Sequence, residues 1–453
     1  MRIVAVLMVV FLLGLGFLAR AVLFDAGETR GRVRASLSVQ DFMGARASQG
    51  FRRAMEPRDF RFPEDHGPHP EFRTEWWYLT GNLTGPEGEP YGFQFTIFRS
   101  ALSPEGGRSG EDRGTGGGET EGRGETPGPV ASPAGEASPV EEASPAEEAS
   151  PAGESPWRTN QLYMGHFAVT DVESGRHRAF EAFARGALGL AGARSAPFRV
   201  WMGEWELLGE GDGQGGVTGV FPLRLRGNGD GIALDLRLQA EKPMVLQGRE
   251  GLSQKGPEPG NASYYYSFTR LSASGVLLLD GDSVSVNGSA WMDREWSTSA
   301  LSSGQVGWDW FALQLEDGHD LMYYQLRRDD GTADTLSKGV WVEPSGDARP
   351  LSLEEVALSV ADEWTSDLDG TVYPSTWLME IPDLDLALEI LPVMPDQEMD
   401  LTFRYWEGAV GVSGTRAGVP VRGVGYVELT GYSDVGAASP ETRRMGRTGG
   451  GSR

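Results

Sequence analysis

The sequence predicts an all-β protein built from two similar antiparallel domains, and three observations carry that expectation. Ile232, Leu234, Leu236 and Leu238 alternate with Ala, Asp, Arg and Gln, and Leu384, Leu386, Leu388 and Ile390 alternate with polar or small residues. A period of two puts one face of a strand in a core and the other in water. Helical periodicity is nearly absent, with residues 353–361 the one short candidate. A faint internal repeat joins the two halves: Trp76-Trp-Tyr-Leu-Thr-Gly-Asn-Leu83 and Trp308-Asp-Trp-Phe-Ala-Leu-Gln-Leu315 each open with Trp and reach Leu seven residues on. Each then leads through a Gly turn and an aromatic strand to an arginine, Arg99 or Arg327. Two all-β units, each a barrel or a sandwich, account for the repeat.

Taken in order, the chain opens with Arg2 and an uncharged apolar run over residues 3–18, interrupted by Arg20 and extended over 21–24. Residues 1–24 suit a signal peptide or an N-terminal membrane anchor, and the chain is expected to be exported. Residues 25–57 are Arg-rich and weakly periodic, a tether. The first domain is expected over 58–299. Its opening hairpin pairs 75–81 with 91–99 about the turn Gly85-Pro-Glu-Gly88. Residues 104–156 are Gly, Glu, Pro, Ser and Ala, with Glu-Ala-Ser-Pro repeated from Glu136, Glu142 and Glu148. Nothing there can be buried, so the segment reads as a disordered insertion inside the first barrel. Strands resume at 162–171, 178–183, 217–226, 232–240, 264–270 and 276–292. The second domain is expected over 300–435, with 420–430 as its last strand, and 436–453 as a disordered tail.

The 453 residues carry a net charge of −25, and the sequence pI is about 4.6. Phosphate recognition needs clustered Lys and Arg, so nucleic acid is an unsuitable partner. Anionic lipid headgroups are unsuitable for the same reason. There is no cysteine, which removes disulfides and thiol chemistry.

The chemistry concentrates in Gly288-Ser-Ala-Trp-Met-Asp-Arg-Glu-Trp296 and Gly307-Trp-Asp-Trp-Phe311. Asp293 and Glu295, two apart on a strand, share a face with Trp291. A carboxyl beside an indole loses solvation, its pKa rises, and it can stay protonated near neutral pH and donate to an alkene. Unbroken pleating points Met292 into the barrel and Asp293 out. Either a bulge at Gly288 turns them over, or the outer face lines a cleft between the barrels. A structural ion pair with a nearby arginine is the alternative to a catalytic role. His166 lies within a strand between Gly165 and Phe167, as a general base or a hydrogen-bonded core histidine. No HExxH or other compact metal signature and no Gly-x-Ser-x-Gly elbow is present, so neither metal nor serine hydrolysis is expected.

Glu75-Trp-Trp-Tyr with Gly81, Gly92-Phe-Gln-Phe-Thr-Ile-Phe-Arg99, Gly165-His-Phe-Ala-Val-Thr-Asp171, Ala290-Trp-Met-Asp-Arg-Glu-Trp296 and Gly307-Trp-Asp-Trp-Phe311 together resemble the AttH-like proteins, relatives of the carotenoid 1,2-hydratases. The resemblance covers roughly residues 60–432 apart from the insertion. It implies two lipocalin-like β-barrels in tandem, in an exported or membrane-associated bacterial protein. Some members of the family accompany transporters of the FtsX-like ABC class, which makes such a transporter the candidate protein partner. The best-defined activity of the wider family is addition of water to a terminal carotenoid double bond without a cofactor. By motif Asp293 is the counterpart of the hydratases' acid, with Trp291 in place of the Tyr of their Tyr-x-Asp motif. Their upstream His-x-Trp motif has no match here; Tyr264 and Tyr266 lie in the comparable region. Trp76 and Trp77 resemble the Trp that closes one end of a lipocalin barrel, with Arg99 or Arg294 available to stack on it.

The expected protein therefore binds or carries an extended apolar or lipid-like molecule, perched at the membrane through its N-terminal segment. The alternatives are a cofactor-free hydratase or hydrolase with Asp293 as general acid, and a tethered scaffold. Asp293, Glu295 and His166 are the candidate catalytic groups. Glu75, Trp76, Trp77, Tyr78, Trp291, Trp296, Trp308 and Trp310 are the candidate ligand-binding residues.

Overall fold

The structure, a computed structural model, describes residues 49–104, 155, 157–213, 216–299 and 301–435. The expected signal or anchor, most of the tether, nearly all of the insertion and the tail lie outside those residues. Among the described residues no helix is long and apolar enough to cross a membrane.

The first antiparallel sheet has thirteen strands. They are β1 (Thr74–Thr84), β2 (Pro90–Ala101), β3 (Gln161–Asp171), β4 (Arg176–Arg185), β5 (Ala191–Ser195), β6 (Phe198–Met202), β7 (Trp205–Gly209), β8 (Leu223–Gly229), β9 (Ile232–Ala240), β10 (Val245–Leu246), β11 (Leu252–Gln254), β12 (Ala262–Leu279) and β13 (Asp282–Ser297). Their order is β4-β3-β2-β1-β13-β12-β9-β8-β7-β6-β5, with β10 and β11 on β12. The second sheet has ten: β14 (Gln305–Leu315), β15 (Asp320–Arg328), β16 (Lys338–Val342), β17 (Ala348–Ser352), β18 (Ala357–Thr365), β19 (Val372–Ile381), β20 (Leu386–Pro392), β21 (Glu398–Asp400), β22 (Arg404–Arg416) and β23 (Val419–Leu429). Its order is β17-β16-β15-β14-β23-β22-β20-β19-β18, with β21 on β22. The protein is all-β, and each sheet curls towards a barrel around its own core.

The alternation in the sequence makes those cores. Trp77, Leu79, Phe93, Phe95, Ile97, Leu234, Leu236, Leu238, Met292 and Trp296 fill the first. Phe311, Leu313, Tyr323, Trp341, Trp377, Ile390, Trp406 and Val427 fill the second. A third apolar cluster joins the outer faces of the two sheets, with Tyr78, Tyr265 and Trp291 from the first against Trp310, Met322, Tyr324 and Tyr426 from the second.

Several elements depart from expectation. Residues 276–292 are not one strand: Asp280 and Gly281 have φ of 52° and 102° and turn β12 into β13 as a tight hairpin. The helix candidate at 353–361 is a single 3-10 turn, Leu353–Glu355, closed by a Ser352–Glu355 capping box and followed by β18. The strand expected from Val217 begins only at Leu223, and β5 to β7 are unanticipated, being short and rich in Gly and Arg. The ordered body starts before Arg58. Phe51 and Ala54 are buried, and Ala54 joins the first core, so the end of the supposed tether packs onto the barrel.

Candidate functional site

The β1–β13 ladder runs without a break from Thr84↔Asn287 to Thr74↔Ser297, so Gly288 is not a bulge. The irregularity lies on the neighbouring strand, between Phe268 and Leu271 of β12. Met292, Arg294 and Trp296 therefore point into the first barrel, while Trp291, Asp293 and Glu295 point out of it. The outer face is not solvent, because the second sheet covers it. Asp293 and Glu295 are 4% and 5% exposed.

Between the sheets lies a cavity of about 150 Å3. Trp76, Phe98, Met164, Trp308, Trp310 and Phe403 give it apolar walls, and Asp293, Glu295, His166, Lys255, Glu407 and Glu428 are its titratable groups. Asp293 accepts hydrogen bonds from Ser267 Oγ at 2.6 Å, Trp291 Nε1 at 2.7 Å and the Tyr265 hydroxyl. Burial outweighs these donors and, with Glu295 nearby, pushes its pKa up to about 7. Glu428 accepts from Trp308 Nε1 at 3.2 Å, and burial pushes it up to about 7 as well. Glu407 takes the Tyr78 hydroxyl at 2.5 Å on Oε1, and burial raises its pKa well above the usual carboxylate range. Glu295 is 3.3 Å from Lys255 Nζ, which lies 4.1 Å from the Tyr324 ring centre. Burial works against the charge on Lys255, but Glu295 overcomes it and raises the lysine pKa. His166 is buried; Nδ1 lies 2.8 Å from the Tyr405 hydroxyl and Nε2 3.3 Å from Glu181. Burial lowers its pKa, leaving the imidazole neutral at pH 7.

Seven of the residues singled out in the sequence meet here: Trp76, Tyr78, His166, Asp293, Glu295, Trp308 and Trp310. Trp291 stands behind the wall and orients Asp293. Glu75, Trp77 and Trp296 do not reach the cavity, because alternation places them inside the first barrel. Glu75 is fully buried between Arg99 and Arg294 and also accepts the His69 amide at 3.0 Å. Burial would raise its pKa, yet the two guanidinium groups hold it well below the usual range. Arg294 stacks 4.0 Å from the Trp77 ring centre, and His69 stacks on Trp296 at 3.8 Å. These three are packing residues.

Lys255, Tyr265, Tyr405, Glu407 and Glu428 were missed. The available signal was a Glu two residues from a Tyr within an apolar strand, at Tyr405/Glu407 and Tyr426/Glu428. That spacing puts both groups on one face. Among the described residues no group of three or more His, Asp or Glu is arranged to hold a metal ion.

A family model described as AttH-like matches residues 53–115 and 140–432. The crystal structure of an AttH from Nitrosomonas europaea is 31% identical with a TM-score of 0.64, covering 84% of this chain and 100% of that one. The kievitone hydratase of Fusarium solani subsp. phaseoli is 23% identical over 226 residues, 48% of this chain and 61% of its own length. The match thus spans less than two thirds of that relative. The crystal structure of a kievitone hydratase from Nectria haematococca has the same fold, at 14% identity and a TM-score of 0.57, covering 85% of this chain and 97% of that one.

Proposed function

The chain belongs to the AttH-like family, and from that footing we propose that it is a hydratase that adds water to an alkene of an apolar substrate without a cofactor. Asp293 is its general acid. The observation that carries this is the setting of Asp293: a buried carboxyl raised to about 7, inside an apolar cavity walled by Trp76, Trp308 and Trp310. An acid of that strength is present in protonated form at neutral pH and still gives up its proton. Protonation of one alkene carbon leaves a cation on the other. The indole faces and the carboxyl groups of Glu295 and Glu428 stabilise it before water adds. Kievitone hydratase, the curated relative, supports the reaction class.

A carrier of an apolar molecule would use the same cavity, and the expected ABC-type transporter partner and exported location belong with either reading. A carrier has no use for several buried carboxyls, which weaken apolar binding, and this favours chemistry. The test is incubation of the purified protein with kievitone and with lycopene, as an acyclic polyene, in heavy-oxygen water. A product heavier by one labelled water supports the proposal. Binding of either probe without any conversion contradicts it and leaves the carrier.

A further inference from the structure

We propose that the water consumed in this hydration sits between Glu407 and Gln94, and that its proton leaves through Tyr405 and His166 to Glu181. The inference rests on the hydratase reading and adds the half of the reaction that Asp293 does not perform.

Glu407 and Gln94 are both fully buried and both line the cavity. Glu407 Oε1 is occupied by the Tyr78 hydroxyl, but Oε2 has no hydrogen-bond partner. Gln94 Nε2 donates to Thr96 Oγ1 at 2.6 Å, while its Oε1 has none. Thr80, the ladder partner of Gln94, has an unpartnered hydroxyl too.

The strands bring these groups together. β2 and its neighbour β3 pack across β22 at two fixed points. At one, Gly92 sits so close to Ala409 that a β-carbon there would lie 2.8 Å from the alanine side chain. At the other, His166, the ladder partner of Thr96, meets the Tyr405 hydroxyl. On β2, Gln94 lies midway between Gly92 and Thr96, and on β22, Glu407 lies midway between Ala409 and Tyr405, so the two stand side by side.

Buried acceptors without donors cost free energy. Two acceptors facing one small space are satisfied by one molecule with two donor hydrogens, and water is that molecule. Its lone pairs remain free, one for Thr80 and one for the substrate.

In the step itself the carbon–oxygen bond forms between this water and the cation left by the Asp293 proton. An oxygen–hydrogen bond of the water breaks, and the proton passes to Glu407. Burial and the neighbouring Glu428 raise the pKa of that carboxyl well above the usual range, against the Tyr78 and Tyr405 hydroxyls, so its ionised form is a strong base for the water's proton. From Glu407 the path continues along the Tyr405 hydroxyl, 2.8 Å from His166 Nδ1, and His166 Nε2, 3.3 Å from Glu181. The Glu181 side chain is 15% exposed and reaches solvent, which also returns a proton to Asp293. Atoms balance as alkene plus water giving alcohol.

Two measurements test this. A high-resolution crystal structure of the wild type should show an ordered water hydrogen-bonded to Glu407 and Gln94, lost in Gln94→Leu. A dry corner, with other buried waters visible, overturns the proposal. With kievitone or lycopene as probe, Glu407→Gln should slow turnover about 100-fold, and Tyr405→Phe about tenfold with a changed solvent isotope effect, while tryptophan quenching by the probe stays within about threefold. Full turnover in Glu407→Gln beside an inactive Asp293→Asn overturns this inference and leaves the hydratase standing. A wild type that converts no alkene overturns both.

Discussion

Tyr78 of the first sheet gives its hydroxyl to Glu407 of the second at 2.5 Å. That bond ties the cavity wall of one barrel to a buried carboxyl of the other, so the site exists only where the two barrels meet. Asp293 faces the same cavity from β13, held by Ser267, Tyr265 and Trp291 of its own sheet.

Trp76 and Trp77 are neighbours in sequence with opposite duties. Trp76 walls the cavity, and Trp77 sits in the core under Arg294. Trp76→Ala should weaken binding of an apolar probe about tenfold by fluorescence titration. Trp77→Ala should cost about 3–5 kcal/mol in urea unfolding. An exchange of these phenotypes would contradict the assignment of faces.

Glu75→Gln leaves Arg99 and Arg294 buried without their counter-charge and should lower stability by about 3–5 kcal/mol. The depressed pKa of Glu75 sets the sign with pH. Its contribution is present above the ordinary carboxylate range and is lost as the acid protonates it. The gap between wild type and variant in urea should therefore narrow under strongly acidic conditions.

Asp293 and Glu428 have the opposite sign. Their folded pKa values, about 7, lie above the ordinary 3.8 and 4.5. The folded state then binds more protons than the unfolded one between about pH 4 and about pH 7, and stability falls as pH rises through that window. Asp293→Asn should match the wild type in urea below about pH 4 and exceed it near about pH 8, by on the order of a few kcal/mol. An unchanged difference across that range would mean that Asp293 titrates as an ordinary carboxyl.

Much of this was legible locally. Alternation marks β9 and β20, aromatic strands about Gly85-Pro-Glu-Gly88 mark the β1–β2 hairpin, and two-residue spacing puts Asp293 and Glu295 on one face with Trp291. What covers that face was not legible, since the partner groups Glu407 and Glu428 come from strands more than a hundred residues further on. Glu75 stood out as a carboxylate in need of a partner, but Arg294, 219 residues away, could not be assigned to it from spacing. Gly288 drew attention as a bulge because glycine often marks one. The irregularity instead fell at Thr269 and Arg270 of β12, where Arg270 is drawn to Asp320 of the second sheet at 2.6 Å. Contacts between sheets decide such features, and they leave no periodic trace in either strand.

The central claim is that Asp293 supplies a proton to an alkene held between the barrels. Turnover of kievitone and lycopene by the wild type and by Asp293→Asn, with probe affinity measured in parallel, tests it most directly. The account predicts conversion by the wild type and a loss of about 100-fold or more in the variant at nearly unchanged affinity. Equal turnover by the two proteins would contradict it.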